Sequence, residues 1–361
     1  MSGKQRIDQL LAGFADGDAT SQMAVVLRDV FRRWGHPSDL FVPPDRASPT
    51  LQGQFRPLSE FAGAGGNIVL HHYGIRSPAS AAFEAAGGGV KRILVYHNIT
   101  PPEYFRGFDD ALAEELRQAR ADLARLGQQA DAAWAVSQFN AAELKAAGAK
   151  NVSVLPLTFS AATLDLAPDP EVLKRFDVPL KTILAVGRVA PNKRLEDLIQ
   201  AFGWYNKSIN PYSRLVIVGS VHSTPRYWTM LQMLVGDLDV ANICFEGFAS
   251  PAGLAAYYCV ADVFVSTSEH EGYCLPLVEA MYKGIPVISR NAGGTPEALD
   301  STGVQYDELA PRELAELIHL VLTDEDLRVD ILHRQGNRIQ AELMRDLEGE
   351  LRDLLKMFVR A

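Results

Sequence analysis

The chain has 361 residues, 47% of which are hydrophobic, and its formal net charge is −9 at pH 7. This length predicts two domains, this apolar content excludes a disordered chain, and this acidic balance disfavours nucleic acid as the main partner. The three cysteines, Cys244, Cys259 and Cys274, include no CxxC motif and indicate reduced thiols. Because the polar start lacks the apolar core of a signal peptide, and no run of about 18 apolar residues could span a membrane, we expect a cytoplasmic protein.

The first predicted elements are a strand and a helix that are joined by a turn. The apolar residues of 7–14 predict the strand, and apolar residues at helical spacing after Thr20 predict the helix. Thr20 is the predicted N-cap, since its hydroxyl can accept an orphan N–H group of the first turn. The turn before it is either a simple connection or a site for phosphate or sugar, because helix N-termini bind anions.

Two later strand patterns end in histidines. Residues 67–72 end at His71 and His72, and residues 92–97 end at His97. The carboxyl ends of parallel strands form one edge of a sheet, and open α/β sheets bind ligands at that edge. Each histidine is therefore either a functional residue at this edge or an ordinary polar residue of the rim.

The second half opens with a strand pattern, residues 182–186, followed by Gly187-Arg188 and Lys193. A helix is predicted to start near Asn192. An arginine can fork onto two phosphate oxygens and a lysine supplies a point charge, so that two cations at a helix start would form a diphosphate clamp. The alternative is that both are partners of surface salt bridges. The GxxxxGK pattern of a P-loop is missing.

The most informative stretch, residues 263–296, predicts a strand, a loop, a short helix and a second strand. Glu271 is placed in the loop and Glu279 in the first turn of the helix, because Pro276 suits the first helical positions. The peptide N–H groups of Gly272–Leu275 would lie at the helix start, where unpaired donors favour oxygen-rich or anionic ligands. The alternative is a plain scaffold with two solvated glutamates.

The segment EGYCLPLVEAM, from Glu271 to Met281, closely resembles the E-x7-E signature of the family-four retaining glycosyltransferases, and the trailing GIPVI and GGTPE also match in order. The resemblance implies the GT-B fold, an α/β architecture in which two Rossmann-like α/β/α domains face a deep cleft. Residues 1–170 would form the N-terminal acceptor-side domain and residues 171–340 the C-terminal nucleotide-sugar-binding domain. Residues 341–361 would form a C-terminal helix that packs back on the first domain, and the linker is predicted within residues 156–179.

The resemblance also implies a reaction. A hexose would pass, with retention of configuration, from a nucleoside diphosphate sugar to a hydroxyl of a glycan or of a lipid-linked oligosaccharide, in surface polysaccharide biosynthesis. It implies no metal ion and no other cofactor, and Asp237-Leu238-Asp239 is interpreted as a loop rather than a metal site. Peripheral contact with the inner face of a membrane, the oligomeric state, and the base and sugar of the donor stay open.

The implied donor-binding residues all lie near the predicted carboxyl ends of strands in the second domain: Arg188, Lys193, Gly219, Phe248, Glu271, Gly272, Tyr273, Cys274, Leu275 and Glu279. In this set, Arg188 and Lys193 would neutralise the leaving diphosphate. Glu271, with the N–H groups of residues 273–275, would hold the sugar hydroxyls. Glu279 would bind the ribose, and the base would lie near Gly219 and Phe248.

In the first domain, the family places a histidine near the donor sugar. His97 fits this role best, and the implied catalytic residues are therefore His97, Arg188, Lys193 and Glu271. Gly17, Asp18 and Ala19 would face the donor phosphates or the acceptor, although the usual Gly-Gly pair is absent.

Two other functions are compatible with the pattern. One is a sugar-nucleotide epimerase or a phosphorylase on the same fold, although a phosphorylase needs a phosphate or cofactor site that the sequence does not show. The other is a non-catalytic sugar-nucleotide-binding subunit, against which the complete set of Arg188, Lys193, Glu271 and Glu279 argues.

Overall fold

A computed structural model describes residues 4–359 of the chain. They form two compact units, each with its own parallel β-sheet. The first unit comprises the described parts of Met1–Pro102, Ala111–Thr158 and Arg345–Ala361, and the second comprises Glu103–Asp110 and Phe159–Met344. The division after Thr158 falls within the stretch in which the linker is predicted.

The sheet of the first unit has the strand order β3-β2-β1-β4-β5-β6-β7. Its strands are β1 (Ile7–Leu11), β2 (Leu40–Val42), β3 (Arg56–Pro57), β4 (Ile68–Tyr73), β5 (Lys91–Tyr96), β6 (Ala132–Ala135) and β7 (Val152–Val154). Every residue of β1 and β4 is buried, as expected for central strands of a parallel sheet that is covered on both faces. These two strands are neighbours, with Leu10 opposite His71 and Leu11 opposite His72, so the polar side chains of β4 lie inside the unit.

Helices follow most of these strands: α1 (Ala19–Arg33), α2 (Pro78–Ala85), α3 (Asp110–Gln129) and α4 (Gln138–Ala146). In α1 the residues Met23, Leu27 and Val30 are buried, and this 3.6-residue spacing places them on one face against the sheet. A side chain caps the start of α1, since the Asp18 carboxylate accepts the N–H of Ser21 at 2.8 Å. Thr20, the predicted N-cap, lies inside the helix instead.

The second sheet has the strand order β10-β9-β8-β11-β12-β13. Its strands are β8 (Lys181–Val186), β9 (Ser213–Val218), β10 (Ile243–Gly247), β11 (Val263–Ser266), β12 (Val287–Arg290) and β13 (Val304–Tyr306). All their pairings are parallel, so their carboxyl ends meet at one edge. The order reverses between β8 and β11, and the loops at this switch point carry the predicted phosphate and sugar residues.

The helices of the second unit are α5 (Ala161–Leu164), α6 (Pro170–Phe176), α7 (Leu195–Ser208), α8 (Pro225–Leu238), α9 (Pro251–Val260), α10 (Leu275–Tyr282), α11 (Thr295–Leu299), α12 (Pro311–Thr323) and α13 (Glu325–Leu343). The core joins Leu198 and Phe202 of α7 to Ile217 of β9 and Ile318 of α12, all fully or almost fully buried. Burying such a side chain contributes about 1.5–3 kcal/mol, so this layer holds the helices on the sheet.

The last helix, α14 (Leu347–Leu355), belongs to the first unit. Its apolar face buries Leu351 and Leu355. The Glu348 carboxylate accepts hydrogen bonds from Arg33 and from the indole N–H of Trp34, both at 2.8 Å. These contacts tie the end of the described chain to the region of α1.

Besides the N-cap at Thr20, three other local predictions are wrong. The helix predicted near Asn192 begins at Leu195, because residues 191–193 form a short 3-10 turn and Arg194 adopts a left-handed conformation with φ 49°. Glu279 lies in the second turn of α10 rather than the first, since the helix begins at Leu275. Asp237 lies in α8 rather than in a loop, and Asp239 ends that helix.

Candidate functional site

The candidate site of the second unit lies at the carboxyl ends of β8, β9, β10 and β11. Arg188 follows β8, Gly219 follows β9, Phe248 follows β10, and Glu271 lies in the loop after β11. This edge, at the switch point of the strand order, is where open α/β sheets bind ligands. The parallel topology therefore brings together residues that are far apart in the sequence.

The loop after β8 and the loop after β11 are joined by hydrogen bonds. The Asn192 side chain donates to the carbonyl of His270 at 3.1 Å, and the backbone N–H of Glu269 donates to the carbonyl of Asn192 at 2.9 Å. The Thr267 hydroxyl lies 3.0 Å from the carbonyl of Lys193. Because both backbones are fixed in this way, the side chains that they carry meet in a defined geometry.

Lys193 and Glu271 form an ion pair at this junction. The Lys193 Nζ atom lies 2.5 Å from Glu271 Oε1, and the two side chains are 21% and 10% exposed. Burial opposes ionisation of Glu271, but the charge of Lys193 and its hydrogen bond lower the pKa of Glu271 below the ordinary value of a glutamate. The glutamate is thus a carboxylate at neutral pH, and the ammonium keeps two further N–H donors for a ligand.

Cys274, the residue before α10, also contacts Glu271. Its thiol forms a hydrogen bond with the Glu271 carboxylate, and burial raises the pKa of the thiol well above its ordinary value, so that the thiol is the donor. The backbone of Cys274 is left-handed, with φ 72°, a conformation that costs a non-glycine residue about 1–2 kcal/mol. This turn carries the N–H groups of Gly272, Cys274 and Leu275, which donate no hydrogen bond within residues 4–359.

Gly293 and Gly294 pack closely against the backbone of the loop that carries Glu271. A Cβ atom at Gly293 would collide with the carbonyl oxygen of Glu271, and one at Gly294 with that of Gly272. The N–H of Gly294 donates to the Glu271 carbonyl at 2.9 Å. The glycines allow this close approach, which fixes the loop without using a side chain.

Glu279 is held by a residue that the sequence did not single out. The hydroxyl of Tyr258, in α9, donates to Glu279 Oε2 at 2.7 Å. Burial raises the pKa of Glu279, while the Tyr258 hydrogen bond acts in the opposite direction. One carboxylate oxygen is therefore oriented, and the carboxyl group of Glu279 is less acidic than that of Glu271.

Arg188 and Lys193 line one small cavity of about 20 Å³, together with Ser266, Thr267 and Ser268. This volume holds about one water molecule. Ser268 forms a hydrogen bond with Glu271, which links the cavity to the ion pair. The guanidinium of Arg188 is exposed and forms no hydrogen bond or ion pair with the part of the chain that the structure describes, so that it is available to a ligand.

Phe248 and Gly219 lie on the same edge. The Phe248 ring is 64% exposed directly after β10, so its face is accessible to a ligand at this edge. A Cβ atom at Gly219 would overlap the carbonyl of Gly187, so the ends of β8 and β9 approach each other only because this residue is glycine.

In the first unit, the turn before α1 is partly closed to anions. The Asp18 carboxylate accepts hydrogen bonds from both the N–H and the hydroxyl of Ser21 at 2.8 Å. A negative charge therefore already occupies the helix start at which Gly17, Asp18 and Ala19 are predicted to face phosphates or the acceptor. The hydroxyl of an acceptor fits this turn better than a phosphate does.

The two histidines of β4 and His97, which directly follows β5, differ in their surroundings. His71 is fully buried and uses both ring nitrogens, on Ser80 Oγ at 3.0 Å and on the Leu10 carbonyl at 3.3 Å. His72 lies between Gln9 Oε1 and His97 Nε2, at 2.8 Å from each. His97 is partly exposed, and of the three it alone presents a ring nitrogen without a partner in the described chain.

The buried environment keeps these rings neutral. Burial lowers the pKa of His97 to about 3 and that of His71 to about 4, and it lowers the pKa of His72 well below the ordinary value. At neutral pH His97 is therefore a polar but uncharged group.

Sequence reasoning missed Tyr258, Asn192 and Gln9. Tyr258 lies in an apolar helix and has no motif of its own, and Asn192 was interpreted as a helix start. Gln9 lies in the apolar strand β1, where a polar residue in a buried strand was the one available signal.

Two further observations concern partners. Among residues 4–359, no group of three or more His, Cys, Asp or Glu side chains is arranged to hold a metal ion. No helix in the same range has the length and apolarity needed to cross a bilayer.

Two parallel α/β units, one with a cation–carboxylate cluster at its switch point, define a GT-B protein. Comparisons with solved structures agree. Sucrose-phosphate synthase from Thermosynechococcus elongatus superposes with a TM-score of 0.75 at 18% identity, covering 98% of this chain and 99% of that one. Anabaena Alr3699/HepE in complex with UDP and glucose gives a TM-score of 0.72 at 18% identity, covering 98% and 100%. The predicted α/β GT-B fold is confirmed.

A family model matches most of the second unit. Residues 174–337 match the model described as glycosyl transferases group 1. A GDP-mannose-dependent alpha-(1-6)-phosphatidylinositol monomannoside mannosyltransferase from Mycobacterium tuberculosis is 28% identical over 226 residues, which cover 58% of this chain and 57% of the relative. The chain thus matches little more than half of that relative's length. The predicted resemblance to GT-B glycosyltransferases is confirmed by the family model and by the solved structures.

Proposed function

We propose that this protein is a retaining glycosyltransferase that transfers a hexose from a nucleoside diphosphate sugar to a hydroxyl of a glycan or lipid-linked acceptor, without a metal ion. The observation that carries the proposal is the cluster of Arg188, Lys193 and Glu271 beside open peptide N–H groups, at the switch point of the domain that matches the glycosyl transferases group 1 model.

The charges fit a diphosphate leaving group. When the bond between the sugar and the phosphate breaks, negative charge develops on the diphosphate, and cations aimed at that charge stabilise the transition state. Arg188 has no carboxylate partner in the described chain, and Lys193 has two N–H donors beyond its contact with Glu271. These two side chains would supply the electrostatic stabilisation that a metal ion supplies in other transferases.

The carboxylates fit sugar hydroxyls. Glu271 is ionised and held by Lys193, Ser268 and Cys274. A carboxylate has about four acceptor sites, so it can still accept a hydrogen bond from a sugar hydroxyl. The N–H groups of Gly272, Cys274 and Leu275 would donate hydrogen bonds to ligand oxygens at the start of α10. Glu279, oriented by Tyr258, would accept hydrogen bonds from the ribose diol, and the exposed Phe248 ring would cover the base.

The relatives suggest which donors to test. The mycobacterial relative is named as GDP-mannose-dependent, and the Anabaena structure contains UDP and glucose. We therefore expect a mannosyl or glucosyl donor. The acceptor would be a saccharide or lipid-linked saccharide of the cell surface, which would place the protein in the cytoplasm at the inner face of the membrane.

A thermal-shift comparison of GDP, UDP, GDP-mannose and UDP-glucose is the first experiment. A ligand at a hundredfold excess over its dissociation constant stabilises the protein by about 2.7 kcal/mol, so the correct base is recognisable. Transfer from that donor to a panel of saccharide and lipid-linked acceptors is then followed by mass spectrometry.

The variant Glu271→Gln tests the assignment of the site. It removes the charge but keeps the shape, and we expect transfer to fall by about 10²–10³ while the fold persists. Transfer at the wild-type rate by folded Glu271→Gln would refute the proposal. Epimerised donor, or products that require added phosphate, would indicate one of the other enzyme classes, and donor binding without turnover would indicate a binding subunit.

A further inference from the structure

A chain of buried hydrogen bonds in the first unit ends at His97. Gln9 and His72 are 0% and 1% exposed. Gln9 Nε2 lies 2.9 Å from the Ala24 carbonyl, Gln9 Oε1 lies 2.8 Å from His72 Nε2, and His72 Nδ1 lies 2.8 Å from His97 Nε2. Gln9 carries no sequence motif, and His97 fits the predicted role near the sugar better than His72 does.

The protons in this chain can be placed one after another. A backbone carbonyl only accepts, so the nitrogen of the Gln9 amide must face Ala24 and its oxygen must face His72. The amide oxygen also only accepts, so His72 carries its proton on Nε2. His72 is neutral because it is buried, and its Nδ1 is therefore an acceptor. It follows that His97 donates from Nε2.

The consequence for His97 is a fixed tautomer. A neutral imidazole carries one N–H, and in His97 that group is used inside the chain. The other nitrogen, Nδ1, then carries a lone pair. Nδ1 accepts no hydrogen bond within residues 4–359, and it is not among the buried polar atoms that lack a partner. It is therefore open to a ligand.

We propose that Gln9 and His72 are positioning residues that hold His97 as the Nε2–H tautomer, so that its Nδ1 accepts a hydrogen bond from a hydroxyl of a bound saccharide. The hydroxyl part rests on the proposed function, whereas the tautomer part does not. A phosphate oxygen is excluded as the partner of Nδ1, because two lone pairs repel each other and a neutral His97 has no second N–H to donate.

His71 provides an internal comparison. It lies beside His72 on β4 and is equally buried, but its Nδ1 faces the Leu10 carbonyl and its Nε2 faces the Ser80 hydroxyl. The same argument gives His71 the Nδ1–H tautomer, since the carbonyl must accept. The two neighbouring rings are thus assigned opposite tautomers, and one spectrum can examine both.

The first measurement uses the full chain labelled with ¹⁵N-histidine, with two-bond ¹H–¹⁵N correlation spectra at pH 7. His97 and His71 are assigned by the loss of a signal in His97→Asn and His71→Asn. We expect a protonated Nε2 in His97 and a protonated Nδ1 in His71. A protonated Nδ1 in His97, or a cationic ring, would overturn the proposal, and this result needs neither substrate nor activity.

The second measurement tests the cause. Gln9→Met keeps the volume of the side chain and removes the acceptor for His72. We expect His97 in this variant to populate both tautomers and the kcat/KM of transfer to fall about tenfold, the effect of one hydrogen bond. Ser80→Ala removes the partner of His71 instead and should leave the tautomer of His97 unchanged. If His97 keeps a single, unchanged tautomer in Gln9→Met, the hydrogen-bond chain from Gln9 does not fix that tautomer.

The third measurement tests the ligand. GDP-mannose and UDP-glucose are compared with GDP and UDP by following the ¹⁵N resonance of His97 Nδ1. A shift that occurs with the sugar nucleotide and not with its nucleotide supports a hydroxyl partner, and an equal shift with both would overturn it. If transfer is absent while His97 still shows the Nε2–H tautomer, the proposed function is wrong, but the role of Gln9 and His72 in fixing the tautomer is supported.

Discussion

The two polar clusters, one in each unit, use opposite means to present a functional group. In the second unit, Glu271 is kept ionised by the charge of Lys193 at 2.5 Å. In the first unit, His97 is kept neutral by burial and oriented by His72, without any charged partner. The difference teaches that a charged group at a sheet edge needs a counter-charge, whereas an uncharged group needs only a fixed proton.

Removing one partner of the ion pair between Lys193 and Glu271 should cause the largest loss of stability. Lys193→Ala leaves Glu271 buried and unpaired, and breaking a buried pair in this way costs about 3–5 kcal/mol. The control is Lys181→Ala, which breaks an exposed pair with Asp262 at 2.8 Å and should cost less than about 1 kcal/mol. Urea unfolding of both variants measures the difference.

The double variant Lys193→Ala/Glu271→Gln sharpens this test. Without the carboxylate there is no unpaired charge to bury, so most of the stability should return. Equal losses of unfolding free energy in Lys193→Ala and Lys181→Ala would mean that the Glu271 charge is solvated. Glu271 would then need no counter-charge, which would contradict the comparison of the two clusters.

As the pH falls, the histidine cluster should lose stability at a higher pH than the ion pair does. The folded pKa of His97 is about 3 and that of His71 about 4, both below the unfolded value of 6.5. Below pH 6.5 the unfolded state therefore binds more protons, and stability falls by up to about 1.4 kcal/mol per pH unit for each histidine. Burial raises the pKa of Asp8, which acts in the opposite direction and offsets part of this loss.

Hydrogen exchange of the full chain at pH 7 and pH 5, corrected for intrinsic rates, measures this effect. Peptides from β4 and β5 should lose up to about 4 kcal/mol of protection, about 2 kcal/mol for each of His71 and His97, less the part that Asp8 offsets. The folded pKa of Glu271 is lowered, so its contribution is present above its unfolded pKa and is lost only as the pH falls through the folded value. Peptides from residues 263–282 should keep their protection, and equal losses in both regions would contradict the comparison.

Tyr258→Phe tests the second carboxylate. Removing the hydroxyl leaves Glu279 without the donor that orients it, and a hydrogen bond to a charged group contributes about 1.5–3 kcal/mol. We expect the dissociation constant of GDP or UDP to rise about tenfold in calorimetric titrations. Tyr257→Phe is the matched control, since this neighbouring hydroxyl donates to Glu246 at 2.6 Å instead. A similar change in both variants would assign the effect to packing.

Cys274→Gly should have the smallest effect. Glycine relieves the left-handed conformation at φ 72° but loses the thiol contact and raises the entropy of the unfolded chain, so the net change should be within about 1 kcal/mol. Cys274→Val, in contrast, places a β-branched residue at this φ and should destabilise by about 1–3 kcal/mol. Melting temperatures of the two variants compare these outcomes.

Secondary structure was predicted best where the residues of an element themselves determine its conformation. Strands such as residues 182–186 are apolar because both of their faces are covered. The prediction was wrong at the starts of helices, which depend on capping side chains and on short turns. Asp18 rather than Thr20 caps α1, and a 3-10 turn displaces the start of α7 to Leu195.

The sequence by itself determined the alternation of strands and helices and the motifs that contain Arg188, Lys193, Glu271 and Glu279, because periodicity and motif spacing are local properties of the chain. Only the tertiary structure decided which of these side chains meet. The contact between Lys193 and Glu271, the hydrogen bond from Tyr258 to Glu279 and the chain from Gln9 to His97 each join segments that are far apart in the sequence. Their geometry depends on the strand order and on the packing of the sheet, which no local pattern specifies.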